Sequence, residues 1–311
     1  MRGTIVAVLR GGPSCEHEVS LKTGHAFLAG LPEERYTVRD IYIDRDGAWH
    51  ERGRPTSPAR VLPTSDAVVN ALHGAYGEDG TLQKLLESYG VPYTGADSFG
   101  SYLAHHKVLA KERARELGLL TPRYALVEMG SDVPAIAQEV NRTFCQPVVV
   151  KPVRAGSSYG VMVLHGFEPI RKGIELLLAE DAAGVLVEEY VRGTHASAGV
   201  IEQFRNEGLY GLPPSEVVFA GGSAGVRAPG RFAPGVRDDL TRQARAMHEG
   251  LGLRHFSASD FIVSPKGIYY LETDALPTLA PGMPSAHSLE AMGIGLPEFS
   301  EHLVALARKS A

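Results

Sequence analysis

The sequence predicts an α/β protein whose N-terminal part is a parallel-strand unit and whose remainder is built of α+β lobes. Near the N-terminus, short β-branched runs end in glycine and feed helical patterns; in mid-chain, an apolar strand ends on a lysine before a small-residue loop; near the C-terminus, two strands form an acidic hairpin. At 311 residues and 44% hydrophobic, the chain can bury a sizeable core without disulfides or structural metal and has room for two or three domains.

Thr4 to Leu9 is a β-branched, apolar run that reaches Gly11-Gly12 and then a helical pattern from Val19 to Leu28. A second strand is expected over Val38 to Ile43 and a third over Ala67 to Leu72, running into His73-Gly74. Ligands in such sheets gather at the carboxyl ends of the strands. From Gly95 to Gly118 the pattern is helical, with Lys107 and Lys111 one turn apart, and Pro122 closes it. A strand over Pro147 to Pro152 carries Lys151 at its end and leads into Gly156-Ser157-Ser158-Tyr159-Gly160. The strand Val185 to Val191 carries Glu188 and Glu189, and the Gly-, Ala- and Pro-rich stretch Ala220 to Gly235 reads as a mobile loop bearing Arg227 and Arg231. These transitions suggest domains at 1–96, 97–183 and 184–311.

Thirty-one Lys and Arg against 36 Asp and Glu give a net charge of -5, so no basic footprint points to nucleic acid or an anionic membrane, and small molecules are the expected partners. The apolar run Ile5 to Leu9 is too short for a signal-peptide core or a membrane span, which reads as a cytoplasmic protein. Cys15 and Cys145 lack metal-ligand spacing and read as packing residues; without an HxxxH pattern, and with His105-His106 unable to share a helix face, zinc is disfavoured.

The small-residue loop after Lys151 allows successive backbone N–H groups to converge on phosphate oxygens while the lysine supplies charge, although it is not the GxxxxGK[ST] pattern. Taken singly, Lys107 and Lys151 each read better as ordinary solvated lysines. In the C-terminal hairpin, Phe256 to Val263 and Gly267 to Leu271 flank a turn at Ser264-Pro265-Lys266-Gly267, which sets Asp260 opposite Glu272 with Asp274 on the same face. Three carboxylates so placed either bind a hard cation such as magnesium or form a solvated acidic face, and the first alternative requires this register. Phosphate loop, lysines and metal together imply phosphoryl transfer.

Longer strings carry a family resemblance. Gly11-Gly12-Pro13-Ser14-Cys15-Glu16-His17-Glu18-Val19-Ser20-Leu21 and Ala71-Leu72-His73-Gly74-Ala75-Tyr76-Gly77-Glu78-Asp79-Gly80 resemble two motifs of the D-alanine:D-alanine ligases; Pro92-Tyr93-Thr94-Gly95 and Val150-Lys151-Pro152 follow at the family's distances. The similarity spans Val6 to Leu306. It implies an ATP-grasp fold with an N-terminal Rossmann-like pre-ATP-grasp domain, and a reaction that joins two amino acids through an acylphosphate for peptidoglycan precursors. It assigns Glu18 to the first amino acid's ammonium, with His73 and Ser157 close to the reacting groups. It gives Lys107, Lys151, Ser157 and Ser158 to the ATP phosphates, Glu188, Glu189 and Val191 to adenine, and His195 to the ribose position, where the family has Glu. Asp260, Glu272 and Asp274, the last in place of the family's Asn, would bind magnesium, with manganese as an alternative. Ser288-Leu289 would receive the second amino acid's carboxylate, and a homodimer through the N-terminal region is implied.

The resemblance also exposes departures. Ala258 stands where the family has a catalytic Arg, Pro277-Thr278 replaces a Pro-Gly, and Gly221 to Gly235 lacks the family's loop Tyr and Lys. Three readings follow: a working ligase in which Arg227 or Arg231 swings in, a degenerate nucleotide- or ligand-binding protein, and a ligase with a different acceptor.

Overall fold

The computed structural model describes residues 3–156, 158–180, 183–220 and 223–310. Strands β1 (Thr4–Gly11), β2 (Tyr36–Ile43), β3 (Trp49–Glu51), β4 (Arg54–Thr56) and β5 (Ala67–Asn70) form one sheet in the order β4-β3-β2-β1-β5, with β1 parallel to both β2 and β5. Helix α1 (His17–Gly30) links β1 to β2, the one-turn α2 (Pro58–Val61) precedes β5, and α3 (Thr81–Ser88) follows it. Val6, Ala7, Val8 and Leu9 are all fully buried because the central strand of a parallel sheet is covered on both faces. Val6 and Val8 meet Phe27 and Phe299 on one side, while Ala7 and Leu9 meet Trp49, Leu82 and Leu86 on the other, the alternation that a strand dictates.

Helices α4 (Ser98–His105) and α5 (Lys107–Glu116) lead to a four-stranded antiparallel sheet of β6 (Tyr124–Val127), β7 (Val148–Pro152), β8 (Met162–Leu164) and β9 (Val185–Glu189), ordered β6-β9-β7-β8. Helices α6 (Val133–Thr143) and α7 (Phe167–Glu180) cover one face, taking up Val148, Val150, Val185 and Val187. The alternate residues Val149, Lys151 and Glu188 therefore face a cleft. Because β9 is hydrogen-bonded between β6 and β7, the expected division at 184 would cut this sheet, and β9 belongs with the central lobe.

The third sheet contains β10 (Thr194–Phe204), β11 (Glu207–Gly211), β12 (Ser215–Ala220), β13 (Ser223–Arg227), β14 (Phe256–Ser264) and β15 (Gly267–Asp274), in the order β13-β12-β10-β14-β15 with β11 also on β10. The segment expected to be a loop from Ala220 instead carries β13, paired with β12 in a hairpin, before an irregular stretch at 228–233 that leads into α8 (Pro234–Gly250); Gly221 and Gly222 lie outside the described residues. Helix α8 packs Leu240, Ala244 and Met247 against Ala198, Phe261 and Tyr270. This sends Asp260 and Ile262, which flank Phe261, to the opposite, cleft-facing side. The register shifts between Asp260 and Phe261, so that Leu271 and Glu272, adjacent on β15, both line the cleft.

After α9 (Pro284–Ala291), helix α10 (Leu296–Lys309) returns to the first layer and packs on α1. The approach is close: a methyl group at Gly30 would fall 2.5 Å from Ser300 Oγ and 2.9 Å from the Leu296 carbonyl oxygen. Gly30→Ala should therefore push the two helices apart at a cost of about 1–3 kcal/mol, an overpacking penalty that outweighs alanine's better helix propensity. Urea unfolding monitored by circular dichroism would measure it, and an unchanged midpoint would contradict the close packing.

Candidate active site

The cleft lies between the four-stranded and six-stranded sheets. Its walls include Lys107, Val149, Lys151, Ser158 and Glu188 to Val191 on one side, and His195, Asp260, Ile262, Leu271 and Glu272 on the other. Lys107 is the first residue of α5, whose N-cap is His106, and its ammonium contacts Glu272 Oε2 at 3.0 Å and donates to the Ala155 carbonyl. Lys151 meets Glu188 Oε2 at 3.0 Å, and Lys111, wholly buried, meets Glu188 Oε1 at 2.9 Å. Ser158 adopts a positive φ of 58° beside this lysine cluster. The expected Ser157 lies outside the described residues.

The hairpin register is as expected from its turn: Asp260 pairs with Glu272 and Ala258 with Asp274, and Ser197 of β10 stands opposite Asp260. Burial, then repulsion from Glu272, pushes the Asp260 carboxyl up to about 7, a shift that the Ser197 hydroxyl and Lys107 partly offset. Glu272 is desolvated too, yet Lys107 and Lys151 outweigh this and hold it down to about 2. One carboxylate is thus neutralised by lysine, and its neighbour is short of a positive partner. Hard oxygen donors in that condition suit a magnesium-type cation. The three-carboxylate convergence takes the form of this pair with Asp274 beside it; among the described residues no group of three or more His, Cys, Asp or Glu could hold a metal ion.

A second, smaller cavity shares Lys107, Ala155 and Glu272 and adds Glu78, His105, Gly156 and Asp274. Beneath it His73 is buried, with Nδ1 at 3.2 Å from Glu78 Oε1 and Nε2 at 2.8 Å from Thr23 Oγ1. Burial lowers His73 to about 4, so it is neutral at physiological pH. Burial, then Glu16, raises Glu78 well above the carboxylate range despite the Gly74 N–H that donates to it at 2.8 Å.

Glu18 does not reach either cavity. It is on the outer side of α1, its side chain 70% exposed and paired with Arg45 at 3.1 Å. Glu16, the N-cap of α1, is buried instead: a methyl group at Gly156 would fall 2.6 Å from its Oε1, and one at Gly74 3.1 Å. The motif contains two glutamates two residues apart, and only the start of α1 decides which turns inward. Ser288 and Leu289 are also displaced from the expected role. The Ser288 hydroxyl donates to the Pro213 carbonyl at 3.1 Å, Leu289 packs into the core around Phe299, and neither lines the two cavities. Arg227 is held by Glu216 at 3.2 Å on the β12–β13 hairpin, and the Arg231 N–H donates to the same carboxylate. Both cysteines are exposed rather than packed. Among the described residues no helix is long and apolar enough to cross a membrane.

The N-terminal D-ala D-ala ligase family model matches residues 5–60 and 51–96, and the C-terminal one matches residues 114–305. The chain is 32% identical over 311 residues to the D-alanine--D-alanine ligase of Geobacter sulfurreducens, covering 98% of this chain and 94% of the relative. It is 34% identical over 319 residues to that of Desulforudis audaxviator, covering 98% of each. Among solved structures it resembles the VanG D-Ala:D-Ser ligase from Enterococcus faecalis, with a TM-score of 0.88 and 24% identity over 98% of this chain and 100% of that one. The D-alanine--D-alanine ligase from Bacillus anthracis complexed with ATP gives 0.84 and 23% over 99% of each. These two likenesses establish the fold, ATP-grasp, and the family models together with the full-length relatives establish that the chain belongs to the D-alanine–D-alanine ligase family.

Proposed function

We propose that the chain is an ATP-dependent carboxylate–amine ligase that joins two D-alanine molecules for peptidoglycan precursor synthesis. The observation that carries this is the single cleft in which Lys107 and Lys151 enter from separate elements opposite the Asp260–Glu272 pair. In this reading the triphosphate is held by Lys107, Lys151, Ser157 and Ser158, as charge neutralisation of a phosphoryl transfer requires. Adenine lies against the chain from Glu188 to Val191. The Glu189 N–H already donates to the Arg123 carbonyl at 2.9 Å, so the Glu189 carbonyl is the group offered to the adenine amino group. His195 faces the ribose.

Magnesium, or manganese, would be held by Asp260 and Glu272 with Asp274 beside them, and when bound it neutralises charge on the phosphates. Glu16 grips the ammonium of the first amino acid, replacing Glu18 in that assignment. A carboxylate oxygen of that amino acid attacks the γ-phosphorus, the bond to the β-phosphate oxygen breaks, and ADP leaves. The second amino acid's amine then attacks the acyl carbon, phosphate departs with the bonding pair, and the amine gives up a proton. Lys107 borders both cavities and so accompanies the transferred phosphoryl group from one to the other. The neutral His73 positions Glu78 from below. A ligase with a different acceptor is the second reading, favoured by Ala258, a side chain without charge, directly opposite Asp274.

With purified protein, Mg-ATP and a panel of D- and L-amino acids, ADP release should occur with D-alanine alone and yield the dipeptide. Turnover restricted to another amino acid would replace the first reading with the second, and nucleotide binding without turnover would leave a binding protein. Glu16→Gln should raise the KM for the first amino acid by roughly tenfold or more, the loss of one charged hydrogen bond, while Glu18→Gln should change it less than about twofold because its ion pair is exposed. Equal effects of the two substitutions in steady-state kinetics would contradict the assignment to Glu16.

A further inference from the structure

Beneath the cleft floor, Glu188 is clasped by two lysines, one of which the mechanism above does not use. Glu188 is 2% exposed; Lys151 reaches its Oε2 from β7 at 3.0 Å and Lys111 its Oε1 from α5 at 2.9 Å. Lys151 lines the cleft, whereas Lys111 is absent from its walls, is fully buried, and also donates to Thr121 Oγ1 at 2.9 Å. An ammonium buried this deeply without touching a ligand is costly, and a single lysine would suffice to pair one carboxylate.

We infer that Lys111 is a positioning residue for the nucleotide: by neutralising Glu188 from behind, it leaves the charge of Lys151 available to the triphosphate. Two lysines around one carboxylate leave one positive charge in excess, and the geometry delivers that excess at Lys151, the member open to the cleft. Without Lys111, Glu188 and Lys151 become a closed neutral pair, and Lys151 is drawn back from the phosphates. The inference rests on the nucleotide reading of the cleft. The charged groups facing Lys111 are Glu188 of β9, Lys151 of β7 and Glu272 of β15; burial, assisted by Lys151 and opposed by the two carboxylates, lowers its ammonium to about 8.

Calorimetric titration of the full chain with Mg-ATP tests this. Wild-type protein must bind; if it does not, the nucleotide reading itself fails. Lys111→Met should raise Kd by at least about tenfold, and Lys111→Met combined with Glu188→Gln, which removes the carboxylate that would otherwise capture Lys151, should bind at least about threefold more tightly than Lys111→Met alone. Lys111→Met binding as tightly as wild type, or a double variant no better than the single one, overturns the inference. Should the single variant fail to fold because Glu188 keeps Lys151 alone as its partner, the pH dependence of the unaltered protein decides. A measurement on unaltered protein stands beside these: as pH rises through about 8, Lys111 loses its proton and Mg-ATP affinity should fall, whereas a flat profile from 7 to 9 overturns the inference.

Discussion

The structure depends on concentrating like charges where water is scarce. Lys107, Lys111 and Lys151 are all at least nine-tenths buried and lie around two glutamates, Glu188 and Glu272. Three ammonium groups against two carboxylates leave one positive charge, and the neighbouring Asp260, pushed up to about 7, cancels it only in part. Ion pairs of this kind are poor sources of stability, since desolvation consumes much of the coulombic gain. On the proposed function, a polyanion that completes the neutralisation on binding accounts for their presence, and the fold must find its stability elsewhere.

That support comes from elements that share no sequence proximity. The lysines start from α5 and β7, the carboxylates from β9, β14 and β15, and the apolar layers behind each sheet hold these strands at fixed spacing. The shift at Asp260 is a local device with a specific consequence: it turns two successive residues of β15 inward, so that Leu271 offers an apolar surface and Glu272 a charge within the same wall. Helix α10 closes the chain against α1, and the core around Phe27, Phe256 and Phe299 ties the first sheet to the third, so the cavity containing Glu78 is referenced to the one containing Lys151.

Much of this was legible in the sequence. Hydrophobic periodicity identified β1, β2, β5, β7 and the β14–β15 hairpin, and the hairpin's turn located Asp260 opposite Glu272. What escaped depended on contacts distant along the chain. The Gly- and Ala-rich composition after Ala220 conceals a strand whose partner is β12, because small residues satisfy a loop and a hairpin equally well. The strand β9 resembled the opening of the next lobe, and only its two neighbours assign it to the central sheet. Lys111 resembled any helical lysine; nothing in a single sequence reveals that Glu188 and Thr121 wait for it across the fold.

The same reasoning clarifies the substitution at Ala258. A buried arginine there would stand opposite Asp274 and hold it ionised. With alanine in place, Asp274 lines the smaller cavity from an exposed position on β15, and partial desolvation there, then repulsion from Glu78, Asp260, Glu272 and Glu16, raises its carboxyl above the usual range. Glu78, in the same cavity, is raised for the same reasons. The smaller cavity is therefore lined by two carboxyl groups whose affinity for protons is raised, where a paired arginine and carboxylate would have offered fixed charge. With no guanidinium opposite Asp274, Lys107 stands as a cation bordering both cavities.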